Sequence, residues 1–379
     1  MTPVLHRTTG TAILLVGSVV MVLATLEIIL RIFAPQIMEV HPNGLWKLSP
    51  TRGFQAVPSF RGRHVYNDFD VDVAISEQGI RDRFFGPKPP DVFRILALGD
   101  SFTFGFGVEG EASYPKRLEF LLNRAAGRET FEVVNAGMPG YDTRQELAFL
   151  REEGLAFQPD LILVGLFGFN DFSDNLLPVN RFTVRYGYLY NNEGLTNGTG
   201  GLPIPWKGYL WAYSHAYRFL ARRYRMLIGN PSPFPGVANA DSSGTRQHEG
   251  STIVSVAEEE KLTTMTRLIK AMSDVGRQHD GPVAILFIPD YKDVQNAVSV
   301  WQPIWDRLGD FCEKEGVSVI DLNPVFRDAH RAGRTPELWY PINRHWTAVG
   351  HRLAAEAISD ALIERHMIPS DKSEKENGK

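Results

Sequence analysis

The chain has 379 residues, enough for one large domain with additions or for two domains. Apolar residues make up 43% and charged residues 22%, a globular balance that supplies a sizeable core, and the net charge of −4 lacks the basic excess expected of a nucleic-acid binder. One cysteine, Cys312, excludes an internal disulfide framework and a cysteine-rich zinc site.

Between Arg7 and Glu27 the run "TTGTAILLVGSVVMVLATL" is uncharged, with a length near the ~20 residues that span a bilayer as a helix. Ile28-Ile29-Leu30 extend it, and Glu27 and Arg31, spaced i,i+4, are placed to pair near the far interface. A cleaved signal peptide has a shorter apolar core and a small-x-small site, whereas "EIILRIFAPQ" comes next here. Residues 1–35 therefore read as a cytoplasmic stub and transmembrane anchor, with a cleaved signal or a buried core helix as the alternatives. Counting Lys and Arg alone would put the large domain inside. Short N-terminal anchors of this build commonly export the domain attached to them, so the expectation is a single-pass protein with its catalytic part extracytoplasmic, on the periplasmic side.

Residues 36–92 read as a linker with a small strand-containing segment. His41 to Phe60 is rich in Pro, Gly and Arg, as a tether or irregular surface segment is. After it, Val71, Val73 and Ile75 alternate with Asp72 and Ala74, the period of a half-buried strand. From residue 93 apolar runs alternate with helical stretches. Strands are expected at Ile95–Leu98, Phe131–Val134, within Pro159–Gly168, and at Val283–Phe287 and Val317–Leu322. Helices are expected at Tyr114–Ala126, Thr143–Glu153, Glu258–Gln278, Val300–Glu315 and Ala348–Glu364. This βαβ series predicts an α/β fold with a mainly parallel sheet. The domain runs over 93–366, with an insertion at about 173–257 and a disordered tail at 367–379. Within the insertion, Trp206–Leu227 is crowded with aromatics and arginines. It reads as a covering helix beside the site, with a face on membrane headgroups or an aromatic platform for sugars as alternatives. The Pro/Gly/Ser-rich run 229–250 reads as a mobile loop, and the sequon Asn197-Gly198-Thr199 as a chance match.

The stretch "RILALGDSFTFGFGVEG", Arg94 to Gly110, admits two chemistries. Gly105 to Gly110 spells the G-x-G-x-x-G of dinucleotide sites, yet it starts several residues after the strand ends, and Val134-Asn135-Ala136 occupies the place of the ribose-binding acid. The serine reading fits better. Ser101 follows the first strand, Gly137 follows the second, Asn170 follows the third, and His345 precedes the last helix, so all four fall where open α/β sheets place their sites. An imidazole that takes the hydroxyl proton makes a serine nucleophilic. The Ser101 and Gly137 amides and the Asn170 side chain would then hold the oxyanion, a single such donor being worth ~3–4 kcal/mol.

These blocks, Gly99-Asp100-Ser101-Phe102, Asn135-Ala136-Gly137, Gly168-Phe169-Asn170-Asp171 and Asn343-Arg344-His345-Trp346, resemble those of the SGNH hydrolase superfamily, the GDSL esterases. The resemblance covers about residues 93–364 and implies a flavodoxin-like three-layer α/β/α sandwich. It implies Ser101 as nucleophile, His345 as base, and Ser101, Gly137 and Asn170 as oxyanion donors. Gly99 and Asp100 support the nucleophile turn. The family's aspartate before the histidine is missing, since Asn343 and Ile342 stand there. Either an amide or backbone group orients His345, or a carboxylate comes from elsewhere (Asp171 and Asp290 being the candidates), or the member is weakened. Asn135 and His351 are read as structural, and His215 as ordinary surface. No metal and no cofactor are expected.

The segment "HWTAVGH" is similar to SGNH proteins that acetylate or deacetylate bacterial exopolysaccharides. The expected function is thus a serine esterase or O-acyltransferase on acyl, first of all acetyl, groups of an extracytoplasmic glycan. A lipid or small-ester hydrolase and an inactive glycan-binding subunit are the alternatives. An acyl-donating membrane partner is conceivable.

Overall fold

The computed structural model describes residues 3–36, 42–66, 68–185, 187–191, 210, 213–227, 251–296, 299 and 301–369. The expected loop at 229–250, the sequon and the tail from 370 lie outside them. The chain begins with α1 (Pro3–Phe33), whose segment Ile13–Phe33 is long and apolar enough to cross a membrane and is almost wholly exposed. Two small antiparallel hairpins come next, β1 (Trp46–Ser49) with β2 (Gly53–Ala56), then β3 (Arg61–Val65) with β4 (Asp70–Ala74). The main domain runs through β5 (Phe93–Leu98), α2 (Ser101–Phe104), α3 (Tyr114–Ala126), β6 (Phe131–Asn135), α4 (Thr143–Glu152), β7 (Leu161–Phe167) and α5 (Gly168–Asp174). A further hairpin, β8 (Phe182–Arg185) with β9 (Tyr188–Asn191), and α6 (His215–Leu227) belong to the insertion. The domain then resumes with α7 (Ser251–Gln278), β10 (Val283–Ile288), α8 (Tyr291–Gln295), α9 (Gln302–Lys314), β11 (Ser318–Asp321), α10 (Asn323–Arg331), α11 (Thr335–Leu338) and α12 (Ala348–Glu364).

The central sheet has five strands in the order β11-β10-β7-β5-β6, every pair parallel. The inner strands β7 and β10 are apolar throughout because both of their faces are covered. Along β7, Leu161 and Leu163 face one layer, with α3, α10 and α12, while Ile162, Val164 and Leu166 face the other, with α4, α7 and α9. This is the expected three-layer α/β/α sandwich. The connection from β5 goes to β6 on one side, and the next strand, β7, lies on the other. The carboxyl end of β5 therefore sits at the switch point where such sheets open a crevice.

The described part of the stretch read as a tether, residues 42–60, is instead packed on the main domain. Leu45, Phe54 and Ala56 are buried with Val73 and Ile75 against Phe104, Met138 and Tyr141 of the main domain. The Tyr141 hydroxyl donates to the Phe54 carbonyl at 2.7 Å. The hairpins are thus built onto the loops that come after β5 and β6.

At the other end of this segment, α1 and α6 meet. Glu27 accepts hydrogen bonds from the Ser214 hydroxyl at 2.8 Å and from the His215 and Ala216 amides at 3.1 and 2.8 Å, satisfying the free N–H groups at the start of α6. Arg31 pairs with Glu27 at 2.7 Å, as its spacing predicts, and also donates to the Tyr213 carbonyl. His215, read as ordinary surface, instead accepts from the Gln36 amide at 2.8 Å.

Candidate active site

The nucleophile turn begins with Gly99, whose φ of +151° and surroundings both demand glycine: a Cβ there would stand 2.0 Å from Thr103 Oγ1. Asp100 caps α2 by accepting from the Phe102 amide at 2.9 Å, so it braces the turn as expected. Ser101 is the first residue of α2 and is 8% exposed. Gly105 and Gly107 of the G-x-G-x-x-G run have φ near +79° and +87° and serve this turn: Gly105 closes α2, and Gly107 packs beneath Phe69 and Tyr340. Arg81 finishes the brace. Its buried guanidinium donates to the carbonyls of Phe104, Gly105 and Val108 at 3.1, 2.6 and 2.7 Å, and burial lowers its pKa to about 10. Nothing local in the sequence singles Arg81 out.

His345 arrives on the loop between α11 and α12. A bridge between Trp339 and Trp346 and the hydrogen bond from the Tyr340 amide to the His345 carbonyl, at 2.9 Å, close this loop. Thr347 caps α12, accepting from Val349 and Gly350. Arg344, before the histidine, takes a left-handed φ of +67°, a conformation that costs a non-glycine residue about 1 kcal/mol or more. Its guanidinium lies 4.1 Å from the centre of the Tyr291 ring.

The structure brings Ser101, His345 and Asn343 together. Ser101 Oγ and His345 Nε2 are 2.8 Å apart. On the other side of the ring, His345 Nδ1 is 2.5 Å from Asn343 Oδ1. An amide oxygen only accepts, so the proton rests on Nδ1 and the Nε2 lone pair faces the serine hydroxyl. The imidazole lies between Phe106 and Phe102, at 4.6 and 5.1 Å between ring centres. Burial lowers its pKa to about 4, against the opposing hydrogen bond to Asn343. His345 is therefore neutral, and a base, through the physiological range.

The other two candidate orienters are corrected. Asp171 is fully buried in α5 and accepts from the Phe167 amide at 2.7 Å. Asp290 caps α8, accepting from Asp293 at 2.9 Å. Each carboxylate thus serves the start of its own helix. The carboxylate that reaches the histidine loop is Asp68, from the turn between β3 and β4, which accepts from the Asn343 and Ile342 amides at 2.6 and 3.0 Å. With Asp68 and Asn343 275 positions apart in the chain, no local signal could have found it.

The oxyanion donors also need one correction. The Gly137 amide donates to Asn135 Oδ1 at 3.1 Å, within its own loop. Glycine is needed there for another reason, because a Cβ would lie 2.2 Å from the Phe104 nitrogen and push α2 away. Gly140, in the same loop, has φ +80°, and its N–H has no hydrogen-bond partner among the described residues. The "NAGMPG" run contained both glycines, and hydrogen-bond direction separates them. Asn170 lies in the first turn of α5, with its side chain outside the described residues. His351 accepts from the Tyr114 amide at 3.2 Å, the structural role expected of it. Among the described residues, no group of three or more His, Cys, Asp or Glu side chains could hold a metal ion.

A five-stranded parallel sandwich with a serine and a buried, neutral histidine at its switch point defines a class, the α/β enzymes that work on ester bonds. The model of the GDSL-like Lipase/Acylhydrolase family matches residues 97–353, well over half of the chain, and the chain belongs to that family. It is an ester-bond hydrolase by that membership. Among solved structures, the chain is similar to the lipase/acylhydrolase from Enterococcus faecalis, with 17% identity, 72% of this chain and 97% of that one covered, and a TM-score of 0.40. An acetylxylan esterase from Geobacillus stearothermophilus, in a catalytic mutant, is similar at 15% identity over 73% and 96% of the two chains, with a TM-score of 0.41. A two-domain esterase active on acetylated mannans has 15% identity over 74% of this chain and 52% of that one, with a TM-score of 0.41. No curated protein gives a significant match.

Proposed function

We propose that this protein is a membrane-anchored serine esterase that removes or transfers small acyl groups, acetyl first of all, on a glycan outside the cytoplasm. The observation that carries the reading is the 2.8 Å approach of His345 Nε2 to Ser101 Oγ with Asn343 on the opposite nitrogen. Ser101 Oγ attacks the acyl carbon while its proton passes to His345 Nε2. The carbonyl oxygen becomes an oxyanion, held by the Ser101 and Gly140 amides and the Asn170 side chain. The carbon–oxygen bond of the ester then breaks, His345 returns the proton to the leaving alkoxide, and an acyl-serine remains. Water, or a second sugar hydroxyl, gives its proton to His345 and attacks the acyl carbon; the bond from that carbon to Ser101 Oγ then breaks, and His345 returns the proton to the serine oxygen. Hydrolysis and transfer share every step but the identity of this acceptor.

Membrane attachment is supported by the exposed apolar face of α1 and by the junction of its last turns with α6. On α6 the exposed residues Leu220, Arg223, Tyr224 and Leu227 keep helical spacing and suit a headgroup surface. The periplasmic side is favoured by the build of the anchor. The inactive-subunit reading draws only on Asn343 in place of aspartate.

The test is fluorophosphonate labelling of the full chain in detergent, with the modified peptide mapped and Ser101→Ala as control. Labelling of Ser101, together with acetate release from acetylated xylan or mannan, is the expected result. A folded protein whose Ser101 stays unlabelled would overturn the catalytic reading in favour of the binding subunit. Labelling with turnover only on long-chain esters would move the substrate to lipid.

A further inference from the structure

The site lacks a carboxylate on the imidazole, yet one stands a single residue away. We infer that Asp68 is the positioning carboxylate of this active site, acting on His345 through Asn343; the inference rests on the Ser101–His345 reading above. One oxygen of Asp68 gathers two consecutive amides of the histidine loop, Ile342 at 3.0 Å and Asn343 at 2.6 Å. The side chain of that same Asn343 accepts from His345 Nδ1 at 2.5 Å, and the ring's far nitrogen meets Ser101 at 2.8 Å. The chain of contacts Asp68–Asn343–His345–Ser101 is therefore continuous.

The hairpin that carries Asp68 is held against the same ring by packing. The Tyr66 amide donates to the Phe69 carbonyl at 2.8 Å, closing the turn around Asp68. Phe69 and His64 pack on Phe106 at 5.6 and 4.8 Å, and Phe106 covers His345 at 4.6 Å. Phe69 also meets Tyr340, whose hydroxyl donates to the Gly107 carbonyl at 2.8 Å.

Two physical effects result. Pinning both amides fixes the backbone from which the Asn343 side chain reaches Nδ1, and that contact keeps the imidazole in the tautomer that accepts from serine; small misplacements at such a site cost large factors in rate. The carboxylate charge also favours the imidazolium that forms after attack, a service the neutral amide cannot perform. Other ionisable groups about this assembly are engaged elsewhere: Arg63 pairs with Asp70 across the hairpin, and Asp100 caps α2. Arg344 lies over Tyr291, Arg81 is spent on carbonyls, and Glu109 accepts from the Asp72 amide. Burial holds His351 neutral, with its pKa lowered to about 3, and burial and the Asp68 charge push the Tyr340 phenol up. His64 packs edge-on against Phe106.

The test uses the full chain in detergent with p-nitrophenyl acetate. Asp68→Asn keeps an oxygen acceptor and removes the charge. It is expected to lower kcat about tenfold at unchanged KM, and to move the acid limb of kcat/KM down by about half a pH unit or more. Asp68→Glu should recover part of the rate. Adding Asn343→Asp to Asp68→Asn restores a charge beside Nδ1 and should return the acid limb upward. An Asp68→Asn enzyme with wild-type kcat and acid limb overturns the inference. So does a rate loss that tracks a fall in Tm while the limb stays in place, since that is a merely structural role. If wild-type Ser101 is never labelled by the fluorophosphonate, the catalytic reading fails and this one falls with it.

Discussion

An imidazole enclosed by two phenyl rings is a weak base, and His345 shows what that costs and gives. With its pKa lowered to about 4 by burial, it is neutral and ready to accept at every pH above that value. We expect kcat/KM to stay level from neutral pH down to about 5 and to fall below it as the ring protonates. The sign for stability runs the same way. The unfolded chain binds a proton at an ordinary histidine pKa while the folded one does not, so stability is full above about 6.5 and is lost as pH falls toward 4. Asn343→Asp would place a carboxylate on Nδ1 and raise the acid limb by about one unit or more, read from the same profile. Ser101 and His345 were legible in the chain because each sits at a local landmark, a strand end before a tight glycine turn and a helix start. Asp68 was not, since its partner is far along the chain and its own turn carries no chemistry. Gly137 was legible as necessary but not for its reason, which is the close approach of α2.

The elements behind the site carry a second electrostatic feature. Glu146 of α4 and Asp171 of α5 are both buried, and both Glu146 oxygens and Asp171 Oδ1 lack hydrogen-bond partners among the described residues. Burial, and then mutual repulsion with neighbouring carboxylates including Asp100, push both acids well above the ordinary range. A raised folded-state pKa means that ionisation is penalised. Their contribution is most favourable in acid and is lost as pH rises from the unfolded value through the raised one. Glu146→Gln removes that penalty, so it should raise the thermal stability at pH 8 and change it much less near pH 4.5. Thermal unfolding at both pH values checks this. The inner strands β7 and β10 of the parallel sheet were legible as uninterrupted apolar runs. The β1–β2 hairpin was not, because two four-residue strands show no period and their buried face exists only against Phe104, Met138 and Tyr141.

At the scale of the whole molecule, the small hairpins are fastened to the main domain and α1 to the insertion. Removing residues 1–35 strips Glu27 from the start of α6 and leaves the amides of His215 and Ala216 uncapped. The shortened protein should show faster amide hydrogen exchange over residues 213–220 than the full chain in detergent, with the central sheet unchanged. Unchanged exchange there would mean that α6 is stable without its cap. The three-layer architecture was legible from the alternation of runs. The junction of α1 and α6 was not, since both segments look complete in isolation.

The distance along the chain between the two reacting groups has a consequence in time. Ser101 and His345 are separated by 244 residues, so at ordinary rates of synthesis the histidine emerges on the order of tens of seconds after the serine. Through that interval the hydroxyl has no base beside it and is as inert as any other serine. On the proposed catalytic reading, a nascent or truncated chain carries no activated serine, and acyl chemistry begins only when the C-terminal loop brings His345 to Ser101.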